Sequence, residues 1–445
     1  MRKIFLAVLV IFLIPAFSFA GFKHYKLKNG LNVYIEENHA LPIVNITILY
    51  KVGCVDEYNS ITGISHMLEH MNFRGSKHFP DGYIDRLTSR YGGINNAQTS
   101  FDYTVYFATI QKKALKDVLG FFADNMNNLL LEKSKFLKER SVVYQERLWR
   151  IDNSADGFLY FTLHNMAYKA SPYRWTPIGF AYDIQHYTID ELRSYYEKYY
   201  APNNAVLVVS GDLNTTKTIA MIKKLFRDKK PKRIVRRITK EPAQNGRRIA
   251  YISKPSQFRK IAVGFKIPSV YSHDTPVLDL ISYILFDGKT ALAYNDLVRD
   301  KKIFADIDGG NEERVWDKGL FEIFGDIEKG ISFKQARESI LKELNKIKSG
   351  RFDPRLLEMA KQKAKMDYLL SEETLRSKDM NKAFYAAFGL DDYYENYLKI
   401  IDKITIKDVE RVAEKYFIEE HETDVYLVPS KGKIFNNPKF KGSLR

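Results

Sequence analysis

In GISHMLEHMNFRGS, residues 63–76, two histidines and a glutamate fall within five positions. His66 and His70 are four residues apart, so on a helix they share a face and both imidazoles reach one point beyond it. Glu69 projects beside that face, where a carboxylate can touch a water held at the same point. Zinc suits such a set, because neutral imidazoles are good ligands and a catalytic site keeps one position open for water. Met67, Leu68, Met71 and Phe73 would hold the helix in a core and keep its surroundings dry. A lone histidine among them would be an ordinary hydrogen-bonded core residue, but a pair at this spacing beside a glutamate is harder to make incidental.

Two histidines do not complete a catalytic zinc site, which usually takes a third protein ligand. Downstream, LEKSKFLKERSVVYQERLWR carries Glu132, Glu139 and Glu146 every seven residues, on one helical face. Spacing leaves all three open as ligands. It equally allows a solvated acidic stripe.

The order of HMLEH, H-x-x-E-H, is the inverted-zincin signature. With ERSVVYQE beginning 69 residues after His70, GGINNAQTSFDYTVYF between, and then SPYRWTPIG and YYAPNNAVLVVSGDL, the chain resembles the pitrilysin and insulinase family, which includes the mitochondrial processing peptidases. The resemblance implies that His66, His70 and Glu146 hold one zinc ion per chain, that Glu69 is the general base, and that Glu139 assists from beside the ligands. It also implies that Asn96 and Ala97 lie on an edge strand that pairs with substrate backbone. Main-chain pairing of that kind gives affinity with little side-chain preference. The chemistry implied is metal-assisted hydrolysis of peptides or unfolded segments. A non-catalytic scaffold of the same fold is the alternative.

The chain departs from the family pattern in its second half. The family supplies an arginine and a tyrosine there to face the substrate; NDLVRDKKIFADIDGG offers Arg299 but no tyrosine from 300 to 316. The family's single-chain members are about twice as long. Dimerisation is therefore expected, as a homodimer or with a homologous zinc-less subunit that carries the complete pair.

The elements that must position these residues follow from hydrophobic periodicity. Asn29-Gly30 before Leu31, Val33 and Ile35 signals a hairpin, and Val44, Ile46, Ile48 and Tyr50 alternate again, which reads as a strand pair followed by the motif helix. KALKDVLGFFADNMNNLL, DELRSYYEKYY and FKQARESILKELNKIKSG have helical patterns, whereas AVLVVSG and DVYLVP are strand-like. The pattern repeats. An offset of 217 lays Val33-Tyr34-Ile35 on Ala250-Tyr251-Ile252, and an offset of 213 lays Phe73-Arg74-Gly75 on Phe286-Asp287-Gly288. The second offset also places His66, Glu69 and His70 on Asp279, Ser282 and Tyr283, so the second copy lacks the first copy's chemistry. The fold class expected is α+β, with two homologous domains of mainly antiparallel sheet packed with helices, a half-clamshell of the processing-peptidase type. The boundaries expected are 21–226 for the metal-binding domain, 227–246 for a basic, solvated linker, and 247–445 for the domain without metal.

Residues 1–20, MRKIFLAVLVIFLIPAFSFA, have the two basic residues, short apolar run and small-residue end of a secretory signal peptide, which implies export, in a bacterium to the periplasm. The apolar run is shorter than a bilayer span needs, and no later stretch reaches that length. Cys54 is the one cysteine, so the chain forms no internal disulfide and depends on packing. The net charge of +16 is scattered along amphipathic stretches and accompanies no nucleic-acid-binding motif, which disfavours a nucleic-acid partner.

Overall fold

The computed structural model describes residues 21–432, so the expected signal peptide lies outside the described residues. The first sheet contains β1 (Lys23–Lys26), β2 (Asn32–Glu37), β3 (Ile43–Tyr50), β4 (Ile94–Thr99), β5 (Thr104–Gln111) and β6 (Ala205–Gly211) in the order β1-β2-β6-β3-β5-β4. The second contains β7 (Arg248–Pro255), β8 (Arg259–Ile267), β9 (Phe304–Glu312), β10 (Gly319–Ile327) and β11 (Glu422–Ser430) in the order β7-β11-β8-β10-β9. With β1 set aside, the two orders are the same. Each sheet is antiparallel apart from one parallel pair, β2 with β6 and β7 with β11. The duplication read from the sequence is thus present in the topology, and the class is α+β.

The expected strand pair needs correction. β2 and β3 both form, yet β6 lies between them, parallel to β2 and antiparallel to β3. The reason is in the composition of β6: AVLVVSG is buried at every position. A strand with no polar face belongs in the middle of a sheet that is covered on both sides. β11 takes the same place between β7 and β8. The Asn29-Gly30 hairpin exists, but it joins β1 to β2, with Gly30 at φ +88° in the turn.

The two halves exchange helices. Ala155–Ala167, from the first half, lies against β7, β8 and β11, with Leu159 and Leu163 packed on Ala262, Val425 and Leu427. Leu375–Phe388, from the second half, lies against β3, β5 and β6, with Ala383 and Phe388 packed on Leu49, Val105, Val206 and Val208. Each sheet has one apolar face that its own half leaves bare, and a helix of the other half covers it. Fully buried Asp379 fastens the second contact, accepting hydrogen bonds from Asn45 Nδ2 (2.7 Å) and Ser210 Oγ (2.8 Å).

Residues 227–246 have no regular secondary structure, but they are not a loose solvated tether. Arg236 pairs with Asp56 at 2.9 Å. Glu241 is buried and accepts from the backbone N–H groups of Lys169, Ala170 and Ser171. Part of the basic run is therefore spent on internal contacts, a use that composition alone does not reveal.

Candidate metal centre

The motif forms the helix Ile64–Met71. Ile64, Met67, Leu68 and Met71 follow the i, i+3, i+4, i+7 spacing and are fully buried, which turns His66, Glu69 and His70 to the other side. The helix starts at Gly63, at φ +84°, where an added Cβ would lie 2.4 Å from the Ile178 carbonyl oxygen. Buried Glu57 supplies the acceptors that the first turn lacks, taking N–H bonds from Gly63 (2.8 Å) and Ser65 (2.9 Å).

Across from it runs the helix Lys133–Arg147, whose buried stripe is Phe136, Glu139, Val143 and Arg147. The stripe aims two of the three candidate carboxylates at the histidines. Glu139 accepts from His70 Nδ1 at 2.8 Å, while Glu146 Oε2 lies 3.4 Å from His70 Nε2 and 3.7 Å from His66 Nε2. Glu132 sits just before the helix and pairs with Lys135 at 3.4 Å. The acidic-stripe alternative therefore describes Glu132 only.

The two histidine Nε2 atoms are 3.3 Å apart. A tetrahedral ion about 2.0–2.2 Å from each donor spaces its donors about 3.3–3.6 Å apart; the separations of 3.3 and 3.4 Å fall in that range and the third, 3.7 Å between His66 and Glu146, lies just beyond it. The donor set also fits, with two imidazoles, one carboxylate and room for water. Glu139 acts on His70 from behind, and Arg74 holds Glu139 in turn through two bonds of 2.7 and 3.1 Å. Arg150, in the wider helical turn Leu148–Asp152, binds the other oxygen of Glu146 at 2.8 Å.

Electrostatics sharpen the division of roles. Burial, and then the charge of His70, pushes His66 down to about 3 and keeps it neutral. Burial also opposes protonation of His70, but its hydrogen bonds with Glu139 and Glu146 outweigh this and hold it up at about 9. Glu146 goes the other way: the His70 bond and the nearby cations overcome burial and lower it to about 2. Burial raises Glu69 above the usual carboxylate range, with the Thr99 hydrogen bond acting against it.

Asn96 and Ala97 lie on β4, the edge strand of the first sheet, opposite Phe107 and Tyr106 of β5. The last residue of that strand, Thr99, donates from Oγ1 to Glu69 Oε2 at 2.6 Å. Sequence reasoning did not single out Thr99, although it stands in the quoted stretch NNAQTSFDY. Nor did it single out Arg74, whose position four residues after His70 was a usable signal.

Arg299 is exposed and pairs with its neighbour Asp300 at 2.8 Å rather than with a residue of the cluster. The equivalents in the second half, on the helix Thr275–Phe286, have become structural. Tyr283 donates to Asp367 at 2.8 Å, and Asp279 accepts from Asn311 at 2.9 Å. Among the described residues, His66, His70 and Glu146 are the only group of three or more His, Cys, Asp or Glu side chains arranged to hold an ion.

The chain is similar to proteins named zinc proteases. The model of the insulinase domain (peptidase family M16) matches residues 32–176, and that of the peptidase M16 inactive domain matches residues 186–364. The chain is 35% identical to the zinc protease PqqE of Helicobacter pylori over 414 residues, which is 91% of this chain and 92% of that protein. A crystal structure of a protease from Helicobacter pylori superposes with a TM-score of 0.88 at 34% identity, covering 92% of this chain and 99% of that one. The periplasmic protease PqqL from Escherichia coli shares the fold, with a TM-score of 0.74 at 20% identity, over 92% of this chain and 48% of that one.

Proposed function

Because this chain belongs to the insulinase family of peptidases, family M16, we propose that it is an exported zinc metalloendopeptidase that cuts peptides or unfolded segments. The observation that carries the reading is the convergence of His66, His70 and Glu146 on one point, with the Glu69 carboxylate beside it. These three residues would hold one zinc ion per chain. When bound, the ion supplies Lewis-acid polarisation of a scissile carbonyl and makes water a better acid.

The remaining work falls to side chains of this protein. Glu69 takes the proton of the attacking water on a carboxylate oxygen and returns it to the leaving amine. Thr99 fixes one oxygen of Glu69, so that the other meets the water. Glu139 orients the His70 ring by accepting at Nδ1, which presents Nε2 as the ligand atom. The edge of β4 at Asn96 and Ala97 receives the substrate as an added strand.

Similarity to a protein named a mitochondrial-processing peptidase subunit beta supports pairing with a second half-clamshell. The partner is either a second copy or a zinc-less homologue, and Arg299 would face the substrate from the second half. The signal-like residues 1–20 support export to the periplasm. Among the described residues, no helix is long and apolar enough to cross a membrane.

The decisive experiment measures metal content and cleavage of a quenched fluorescent peptide by the mature chain, with Glu69→Gln beside it. Bound zinc with cleavage that disappears in Glu69→Gln is the expected result. Unchanged turnover in that variant would remove Glu69 from its role. Zinc bound without cleavage, even after addition of a homologous subunit, would favour the scaffold alternative.

A further inference from the structure

At the end of β4 away from Thr99, the surface opens into a cavity of about 410 Å³. Its wall is largely apolar, from Pro42, Ile43, Tyr91, Ile94 and Ile110, and its size falls in the range of small-ligand pockets, about 300–1,000 Å³. Lys112 and Lys113 stand on the rim, the first engaged by Asp212 at 2.5 Å and the second exposed. Two large apolar side chains remain uncovered here, Ile94 at 52% exposure and Leu41, next to Pro42, at 61%. Uncovered apolar residues gathered around a concavity mark a binding surface rather than ordinary surface scatter. Gly93 keeps the loop pressed to β5, since a Cβ there would lie 2.5 Å from the Thr109 carbonyl oxygen.

The position relates the cavity to the metal centre. β4 is a sheet edge whose one end, Thr99, is bonded to Glu69, and whose other end, Ile94, forms the cavity wall. Five residues of extended chain span roughly 17 Å at about 3.3 Å each. A peptide added along this edge with its scissile bond near Glu69 therefore carries a residue about five positions away to the cavity.

We propose that this cavity is a distal side-chain subsite for a large apolar residue of an extended peptide, about five positions from the bond to be cut. The inference rests on the peptidase reading for the location of the scissile bond. It narrows the substrate class to peptides long enough to span β4, with an apolar anchor at the far end.

The test is fluorescence-anisotropy binding of labelled peptides to the full mature chain carrying Glu69→Gln, so that no peptide is cut. One series spans β4 and places leucine, phenylalanine or aspartate at successive distances on either side of a common centre; a truncated peptide omits the distal residue. The apolar long peptides are expected to bind about tenfold more tightly than the aspartate or truncated ones. Ile94→Asp, at an exposed position, is expected to bring the long peptides to the level of the truncated one. Equal affinity across the series, or a preference that survives Ile94→Asp, overturns the subsite. Turnover by the wild-type chain separates the two readings. Glu69-dependent cleavage without distal preference defeats the subsite alone, whereas distal preference in a chain that never cleaves defeats the peptidase reading and leaves a peptide-binding site.

Discussion

The hydroxyl of Thr99 donates a 2.6 Å hydrogen bond to Oε2 of Glu69 and so joins the last residue of the edge strand to the carboxylate beside His66, His70 and Glu146. Thr99 is buried, and its neighbour across the sheet, Thr104, is fixed to the Val52 carbonyl at 2.9 Å. The proposed base is thus oriented by the strand that is proposed to receive the substrate.

Thr99→Val keeps the shape of the side chain and removes the donor. A hydrogen bond to a charged group contributes about 1.5–3 kcal/mol, so kcat is expected to fall by roughly 10- to 100-fold. KM and zinc content should stay close to those of the parent, and Thr99→Ser should recover most of the rate. A Thr99→Val enzyme with undiminished kcat would show that Glu69 needs no such restraint.

Zinc uptake should depend on pH through His70. Without metal, its bonds with Glu139 and Glu146 hold it protonated up to about 9, so at neutral pH the ion must displace a proton. Raising the pH from about 6 to about 8 should strengthen zinc binding, approaching tenfold per unit, in competition titrations against a chelator. Glu139→Gln should weaken zinc binding by about 10- to 100-fold. It should also flatten the pH dependence over this range, because one of the two carboxylates that raise His70 is gone. An equally steep profile in both proteins would place the displaced proton elsewhere.

Asp379 gives the contact between halves a pH dependence of its own. Burial first, and Glu36 after it, raise its carboxyl well above the usual range against the hydrogen bonds from Asn45 and Ser210. A carboxyl whose folded pKa is raised contributes stability that is complete below its unfolded value and is lost as pH rises towards the folded one. Asp379→Asn keeps a neutral acceptor at all pH values. Its unfolding temperature should match the parent's under acidic conditions and exceed it increasingly as the pH is raised. Parallel curves for the two proteins would mean that Asp379 does not titrate in the folded state.

Much of the site was legible in the sequence because its signals are local. The four-residue spacing of His66 and His70 defines a shared helical face whatever the helix packs on, and the apolar 64, 67, 68, 71 stripe says which side is buried. The seven-residue repeat of Glu132, Glu139 and Glu146 was equally visible, but it could not rank its members. Their ranking depends on a helix 69 residues away in sequence: the crossing of the two helices brings Glu139 behind His70 and Glu146 in front of it, and leaves Glu132 at the surface beside Lys135.

By itself, the sequence determined the donor types, their helical spacing, the strand and helix periods, and the duplication whose second copy carries Asp279, Ser282 and Tyr283 in place of the candidate metal-binding set. All of these depend on neighbours within a turn or two of chain, or on comparing one stretch with another. Only the tertiary structure decided the rest. It inserted β6 between β2 and β3, folded residues 227–246 onto both halves through Arg236 to Asp56 and the Glu241 N–H to Asp317, exchanged the helices Ala155–Ala167 and Leu375–Phe388 between sheets, and joined Thr99 to Glu69. Each of these contacts forms between segments far apart in sequence, where burial of an apolar face or satisfaction of a buried polar group selects the partner, and no local pattern names it.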